Sequence, residues 1–208
     1  MNFKSSYMLG TLVNDNLLVY DLVTSKNDYS SWDKEQDNQQ ERLVLYMFRI
    51  SDDYLVGFTE GEGMFYIGIV PSKETKTHWQ VIYFLKVSQN PTGIEVLNHF
   101  KDRLGCGYIK QNSQTDLTDK SLAYVVRDLP SLRDKVIPFF EGKLVIKKDA
   151  FEKFKQVLKL VETKQHFTAA GMAKILEIAY SMNTQKRRVS KESILEDYIK
   201  LESSQAIR

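Results

Sequence analysis

Two glutamates separated by one glycine could hold a metal ion, because carboxylate oxygens are the ligands that hard divalent cations such as Mg²⁺ prefer. They are Glu60 and Glu62, near the end of the string LVGFTEGEG at residues 55–63. Ser51 can cap a helix here, and the pattern predicts a helix over about 52–61. A carboxylate at the C-terminal end of a helix is repelled by the helix dipole unless a cation compensates. The placement therefore indicates a metal site, with an acidic surface turn as the alternative.

The two inner glycines of the string lie four residues apart, on one face of the predicted helix. They are Gly57 and Gly61, and small residues at this spacing let two helices approach closely. With Leu55 and Phe58 beside them, they predict a face that packs against the same helix of a second chain. The chain contains one copy of the string, so a symmetric pair of such helices requires a homodimer.

The pattern around the string predicts an α+β fold. Apolar residues at alternate positions predict strands, and apolar residues at helical spacing predict helices. Beyond the helix at the string, the predicted strands are 64–70, 79–88, 108–109 and 122–126, and the predicted helices are 94–104 and 129–140. The order is therefore helix, two strands, helix, two strands, helix. After Lys148 the pattern is helical to the end of the sequence.

Composition divides the chain into three parts. Residues 1–50 are predicted to be an N-terminal extension with a polar linker at 24–42, residues 51–185 the main domain, and residues 186–208 a C-terminal helical tail. Residues 1–60 hold 5 Lys/Arg and 10 Asp/Glu, whereas the rest of the chain holds 24 and 17. The basic balance of the rest suits a protein that neutralises phosphates.

The bulk composition excludes several classes of protein. The 208 residues are 42% hydrophobic and 27% charged, with a mean hydropathy of −0.37, and the pattern predicts neither a membrane span nor a signal peptide. A lone cysteine, Cys106, excludes an intramolecular disulfide and a cysteine-rich metal site. His78, His99 and His166 lack metal-site spacing. We therefore expect an intracellular, non-secreted protein with no membrane partner.

The string at 55–63 resembles the signature of LAGLIDADG homing endonucleases, and the predicted order of elements resembles their αββαββα domain with its saddle-shaped antiparallel sheet. Four later stretches are also similar to this family: FLKVSQ (84–89), LGCGYI (104–109), VIPFF with LVIKK (136–140 and 144–148), and AAGMAKIL (169–176). The resemblance covers residues from about 51 to 185. It implies an endonuclease domain with extra helices at its C-terminal end.

The resemblance implies which residues carry out catalysis. In this family the last acidic residue of the string binds the metal, so Glu62, with Gly61 beside it, is expected to hold Mg²⁺ or Mn²⁺. Gln89 is expected to orient the attacking water. Lys147, with Lys148 as the register alternative, is expected to stabilise charge in the transition state. Without the resemblance, Gln89 and Lys147 would be interpreted as ordinary surface residues.

The resemblance also implies that the outer face of the sheet contacts double-stranded DNA, because a β-ribbon fits the major groove. The positions expected to contact DNA lie along the strands and their turns: Tyr66, Gly68, Val70, Ser72, Lys73, Lys76, Gln80, Ile82, Lys86, Lys110 and Asn112. This assignment depends on the register, since a slip of one residue would exchange the two faces.

These observations together predict a site-specific, metal-dependent endodeoxyribonuclease that cuts a long near-palindromic DNA site as a homodimer and is encoded within an intron. Two alternatives stay open. One is an RNA maturase that binds its host intron RNA and assists splicing, and the other is a non-catalytic, sequence-specific DNA-binding protein. An organellar intron would place the protein in a chloroplast or mitochondrion, and otherwise we expect the bacterial cytoplasm.

Overall fold

The computed structural model describes residues 10–12, 18–20, 50–113, 115–116, 118–182 and 189–206. Contacts between Cα atoms divide the chain into two units, Met1–Arg49 and Ile50–Arg208. In the first unit, β1 (Gly10–Leu12) and β2 (Leu18–Tyr20) form an antiparallel hairpin in which Thr11 pairs with Val19. The predicted linker at 24–42 and the predicted domain boundary at 185 lie outside the described residues.

The second unit follows the predicted order of helices and strands. Its elements are α1 (Asp52–Glu62), β3 (Gly63–Pro71), β4 (Trp79–Gln89), a 3-10 turn (Pro91–Gly93), α2 (Ile94–Leu104), β5 (Tyr108–Gln111), β6 (Leu122–Val126), α3 (Leu129–Ser131), a π turn (Leu132–Val136), α4 (Ile137–Phe140), α5 (Lys148–Glu162), a 3-10 turn (Gln165–Phe167), α6 (Ala169–Met182) and α7 (Lys191–Ala206). The predicted α+β class, with additional helices at the C-terminal end, is confirmed.

The strands β3 to β6 form one antiparallel sheet in the order β3-β4-β6-β5. In the β3–β4 pair, Phe65 lies opposite Leu85 and Ile67 lies opposite Tyr83, so these side chains share a face of the sheet. Phe65 and Ile67 are 4% and 1% exposed, and the ring of Phe65 packs 5.5 Å from that of Phe154 in α5. The alternation predicted for both strands is therefore confirmed, with the core on the predicted face.

The helix predicted from residue 129 to residue 140 is divided. After α3 the chain makes a π turn, in which the N–H of Ile137 donates to the carbonyl of Leu132, five residues earlier. Pro138 follows directly. Because proline has no N–H, it cannot donate to the carbonyl of Asp134, and the wider turn precedes this missing bond. A helix over 129–140 is therefore confirmed, and the π turn within it was not predicted.

The last helix belongs to the core of the second unit. Ile194 and Tyr198 of α7 are buried in the same apolar cluster as the sheet residues, and the Tyr198 hydroxyl donates to the carbonyl of His166. The indole N–H of Trp79, at the start of β4, donates to Asp197 over 2.9 Å. Residues 191–206 are thus helical as predicted but are not a separate tail. Within the described ranges, no helix has both the length and the apolar character that crossing a membrane requires.

Helix α1 ends at Glu62, one residue later than predicted, and the chain enters β3 at Gly63. Ser51 caps the helix as expected, since its hydroxyl oxygen accepts the N–H of Tyr54. The helix continues through Gly61 to Glu62, and the N–H of Gly63 donates to the carbonyl of Thr59. Thr59 is buried and lies so close that a Cβ on Gly63 would stand 2.4 Å from its methyl carbon and 2.7 Å from its carbonyl oxygen. Only glycine fits this junction without movement of the helix.

We predict that Gly63→Ala lowers the free energy of unfolding by about 1–3 kcal/mol, because the added methyl group overpacks against Thr59. Urea unfolding at a protein concentration low enough for monomers measures this. Gly61→Ala is the control: a Cβ there would meet nothing within 4 Å, and alanine is the better helix former by up to about 1 kcal/mol. Equal losses for the two variants would contradict the assignment of Gly63 as the tight position.

Candidate functional site

Glu62 is the last residue of α1, and its side chain is exposed. Among the described residues, no hydrogen bond or ion pair engages its carboxylate. Its chain neighbour Gly61 is also exposed and offers a backbone carbonyl oxygen. Both groups are hard oxygen donors of the kind that Mg²⁺ binds. The residues predicted to hold a metal therefore fit that role chemically.

Glu60 binds a loop that is distant in sequence. Its carboxylate accepts the backbone N–H of Val145 at 2.8 Å and that of Ile146 at 2.7 Å. The N–H of Lys147 points at the same carboxylate, 3.5 and 3.3 Å from its two oxygens. Hydrogen bonds to an ionised acceptor are roughly twice as strong as bonds between neutral groups. This arrangement, which we call the Glu60 clamp, fixes residues 145–147 against the C-terminal end of α1.

The clamp brings Lys147 to the end of α1. Its ammonium group donates to the carbonyl of Glu60 and, over 3.4 Å, to the carbonyl of Gly61. Carbonyls at a helix C-terminus carry partial negative charge and lack intrahelical partners. Lys148 instead begins α5 and is exposed. Of the two lysines that the sequence left open, Lys147 is the one beside the paired glutamates.

Lys147 also corrects the electrostatic reasoning about the glutamates. The sequence of α1 has no basic residue in its last turn, which suggested that a metal ion compensates the helix dipole. The ammonium of Lys147 supplies a cation there from a position 87 residues away. The feature that indicates a metal site is therefore the exposed carboxylate of Glu62, and not the dipole of α1.

The N-terminal end of α1 is held by an ion pair. The guanidinium of Arg103, at the end of α2, donates to both carboxylate oxygens of Asp52 at 2.6 and 2.7 Å. The hydrogen bonds to Asp52 raise the pKa of Arg103 above its usual value. Both ends of α1 are thus tied to other elements of the unit.

Gln89 does not reach the glutamates. It is the last residue of β4, and its side-chain oxygen accepts the N–H of Asn90 at 2.7 Å. Its Cγ lies so close to Gly93 that a Cβ there would approach it to 2.4 Å. The side chain therefore folds back over the turn that follows β4. Among the described hydrogen bonds, none joins Gln89 to residues 60–62 or to Lys147.

The outer face of the sheet carries most of the residues expected to contact DNA. The register places Val70 opposite Gln80. Both side chains point to the face of the sheet opposite that of the buried Phe65 and Ile67. The ammonium of Lys86 donates to the side-chain oxygen of Asn112 over 3.1 Å. The other expected positions on this face or in its turns are Tyr66, Ile82, Lys110, Ser72, Lys73 and Lys76. Its charged side chains are mainly lysines, which suit a phosphate-bearing partner.

Gly68 is the exception on that face. A Cβ on Gly68 would stand 2.7 Å from the ring and hydroxyl of Tyr66, so the tyrosine lies over the glycine. The Tyr66 ring also stacks on Phe84, with 4.7 Å between centroids. Gly68 is buried as a result. A contact between Gly68 and DNA would therefore require the ring of Tyr66 to move, and the contact stays a prediction.

The predicted helix-pairing face requires one correction. Leu55 is 1% exposed and belongs to the apolar core of the chain itself, so it is not available to a second chain. Gly57 and Gly61 are exposed, and a Cβ on either would meet nothing within 4 Å. Phe58 is half-buried: its ring stacks on Tyr54 and lies at a tilted angle to Phe100. The open face of α1 therefore consists of Tyr54, Gly57 and Gly61, with part of Phe58.

One chain does not supply a complete set of metal ligands in its described part. In those residues, no group of three or more His, Cys, Asp or Glu side chains is close enough to hold an ion. Glu62 and Gly61 offer two oxygens, whereas Mg²⁺ takes six in octahedral geometry.

Comparison with known proteins finds related endonucleases. A family model described as "LAGLIDADG endonuclease" matches residues 55–158. "Probable intron-encoded endonuclease 2" of Neurospora crassa is 28% identical over 158 residues, which are 69% of this chain and 32% of that protein. This chain spans no more than about a third of the length of the curated relatives that it matches: the matches to two further relatives cover 25% and 24% of their lengths.

Two solved structures resemble the fold. The crystal structure of the homing endonuclease I-TnaI is 31% identical, with a TM-score of 0.61, and the match covers 74% of this chain and 99% of that one. The structure of I-SmaMI bound to an uncleaved DNA target in the presence of calcium ions is 27% identical, also with a TM-score of 0.61. That match covers 67% of this chain and 47% of I-SmaMI.

We predict that Glu60→Gln loosens the loop at residues 145–147. An amide offers one acceptor oxygen, and its NH₂ group would face the backbone N–H donors. The free energy of unfolding should fall by about 1–3 kcal/mol, and the amides of Val145 and Ile146 should exchange faster with solvent. Glu62→Gln removes an equal charge two residues away and should leave both amides protected. Unchanged exchange in Glu60→Gln would contradict the clamp.

Proposed function

The chain belongs to the LAGLIDADG endonuclease family, and we propose that it is an intron-encoded homing endonuclease that cuts both strands of a long DNA site as a homodimer. The observation that carries this proposal is the junction of α1 with β3. There the exposed carboxylate of Glu62 follows directly after the carbonyl of Gly61, which accepts from Lys147. The names of the curated relatives support an intron-encoded origin, and an organelle genome is the proposed source.

Glu62 and Gly61 are the proposed ligands of Mg²⁺ or Mn²⁺. Their carboxylate and carbonyl oxygens suit either ion, and the calcium present in the I-SmaMI complex supports a divalent cation. When bound, such an ion neutralises charge on phosphoryl oxygens and lowers the pKa of water. The remaining ligands would come from DNA, water and the second chain. The exposure of Glu62 leaves room for all three.

Lys147 is the proposed stabiliser of transition-state charge. An ammonium group has three donors, and two of them point at the carbonyls of Glu60 and Gly61. The third can reach a phosphoryl oxygen of bound DNA, where negative charge increases as the bond to the leaving group breaks. Gln89 is the proposed residue that orients water. That role requires its side chain to leave the N–H of Asn90, to which it is bonded here.

The outer face of the sheet is the proposed DNA-binding surface. Strands β3 and β4 form a ribbon that fits a major groove. The lysines at 73, 76 and 86 along it, together with Lys110 on β5, can neutralise phosphates. The I-SmaMI structure contains a DNA target, which supports the same partner for a chain of similar fold. A contact from the buried Gly68 would require the ring of Tyr66 to move aside.

A second copy of α1 is the proposed partner of the open face of α1. The glycines at 57 and 61 leave space on that face for a neighbouring backbone. The matched region covers 99% of I-TnaI but 47% of I-SmaMI, so one unit of this size corresponds to about half of the I-SmaMI chain. Two units would then form one complex, with a Glu62 for each DNA strand.

We predict that Glu62→Gln reduces cleavage about a hundredfold or more, because the metal loses a charged ligand. The target is first selected with the wild-type protein from randomised duplexes and from the intron-lacking host gene. Wild type, Glu62→Gln and Lys147→Ala are then compared on it in Mg²⁺, Mn²⁺ and EDTA. Lys147→Ala should also cut slowly, whereas Lys148→Ala, its exposed neighbour, can lose a phosphate contact but should keep the wild-type rate once the protein saturates the DNA.

Two results would count against this function. If Glu62→Gln cuts as fast as the wild type, the metal assignment is wrong. If the wild-type protein cuts no duplex but promotes splicing of the host intron RNA, the chain is a maturase. Sequence-specific binding without cleavage in either metal would indicate a DNA-binding protein that is not an enzyme.

We predict that Gly57→Leu weakens the dimer at least about tenfold. A leucine side chain on the open face holds the two backbones apart. Within one chain its Cβ meets nothing within 4 Å, and leucine is a better helix former than glycine. Analytical ultracentrifugation gives the dissociation constant, and urea unfolding of the monomer should show no loss of stability. Ser203→Leu on α7 adds the same side chain at another exposed position and should leave the dimer intact. Equal dimer affinity for both variants would exclude the open face of α1 as the dimer interface.

A further inference from the structure

Val145 and Ile146 are apolar residues that the fold holds in solvent. They are 82% and 80% exposed, the highest values among the large apolar residues of the described chain. Leu144 before them is buried in the core, and Lys147 after them is half-buried. The pair therefore projects from a loop that is anchored on both sides.

The backbone of this pair is fixed. The N–H groups of Val145 and Ile146 both donate to the carboxylate of Glu60, at 2.8 and 2.7 Å. A charged acceptor is thus used to hold two adjacent apolar side chains away from the core. Single exposed apolar residues are common on protein surfaces, but a rigid adjacent pair next to a candidate active site indicates a contact with a partner.

The surroundings of the pair favour nucleic acid as that partner. Lys147 and Lys148 follow directly in the sequence, and Lys148 is exposed. The carboxylate of Glu60 is turned toward the backbone N–H groups of Val145 and Ile146, which satisfy its oxygens. An apolar pair flanked by cations matches a phosphate-lined groove with apolar sugars and bases inside it.

The position of Val145 and Ile146 relative to the sheet indicates which groove of the DNA they face. This step rests on the proposed homodimer and its DNA partner. Strand β3 begins at Gly63, beside the clamp, and its 9 residues extend away from it, a length of roughly 30 Å. Two ribbons of a symmetric dimer would enter major-groove segments about one helical turn apart. Midway between those segments, on the same side of the duplex, lies the minor groove.

We propose that Val145 and Ile146 form an apolar wedge against the minor groove of bound DNA, beside the phosphate to be cut. Apolar side chains in this position unstack a base step and bend the duplex toward its major groove. With the minor groove facing the protein, this bend opens that groove over the pair and over the candidate active site. The two side chains are exposed in the free protein and become buried against DNA in the complex. Burial in the complex explains why apolar residues occupy these exposed positions.

The test uses the DNA target selected with the wild-type protein, carrying 2-aminopurine at the central base steps. Binding is measured in Ca²⁺, since the I-SmaMI complex with calcium holds uncleaved DNA. Wild-type protein should raise the fluorescence, which reports loss of base stacking. Val145→Ser/Ile146→Ser should leave the fluorescence low and weaken binding about tenfold. A duplex with a mismatch at the central step is already unstacked and should recover most of the lost affinity.

Three controls keep the test specific. Val145→Ile/Ile146→Val exchanges the two side chains and should behave as wild type, and Ile199→Ser removes an exposed apolar side chain from α7 with no expected effect on DNA. Val145→Thr is nearly isosteric with the wild-type side chain and serves if the double variant folds poorly. Urea unfolding should show equal stability for all variants, because the substituted side chains are exposed.

The proposal is overturned if the double variant binds the target and raises the fluorescence as the wild type does. It is also overturned if the double variant is a monomer without DNA under conditions where the wild type is a dimer, because the pair would then contact the second chain. Wild-type cleavage in Mg²⁺ separates the two proposals. If the wild type cuts and the double variant matches it, only the wedge is wrong; if the wild type neither binds nor cuts any duplex, both are wrong.

Discussion

Glu60 accepts hydrogen bonds from a loop that begins 85 residues further along the chain, and the geometry of the candidate site depends on that contact. The bonds set the distance between the end of α1 and the start of α5. They carry Lys147 to the carbonyls of Glu60 and Gly61 and hold Val145 and Ile146 in solvent. A carboxylate that receives several backbone N–H groups is a rigid anchor, because each bond is charge-assisted.

Helix α1 serves two packing surfaces with one short sequence. Val56 and Thr59 are buried toward the sheet, while Gly57 and Gly61 leave the opposite face bare. The two requirements are compatible because residues three and four apart lie on the same side of a helix. Gly63 then permits the chain to enter β3 directly against Thr59. The proposed metal ligand therefore stands directly before the strand that starts the proposed DNA-binding face, so the proposed catalytic and DNA-binding residues meet at one junction.

Local periodicity determined much of this protein from the sequence. The cap at Ser51, the helix after it and the alternation along β3 and β4 depend on neighbouring residues. They gave the element order and the face opposite the core, and with it most of the expected DNA-facing positions. The family resemblance added the roles of Glu62, Gln89 and Lys147, and the pattern of residues alone would have left Gln89 and Lys147 as ordinary surface residues.

Tertiary structure decided what depends on residues far apart in the sequence or on exact fit. Nothing near Glu60 in the sequence indicates that its partners are residues 145–147. The sequence therefore predicts that a metal ion compensates the helix dipole, whereas in the structure the ammonium of Lys147 does so. The sequence predicts Leu55 on the helix-pairing face, because a helical pattern does not show which apolar residue enters the chain's own core. Gly68 lies under Tyr66, Gln89 turns back toward Gly93, and the π turn precedes Pro138, all through contacts that alternation cannot encode. The sequence thus determines faces and order, because these follow from local backbone geometry, whereas the contacts that complete the site form only when distant segments pack together.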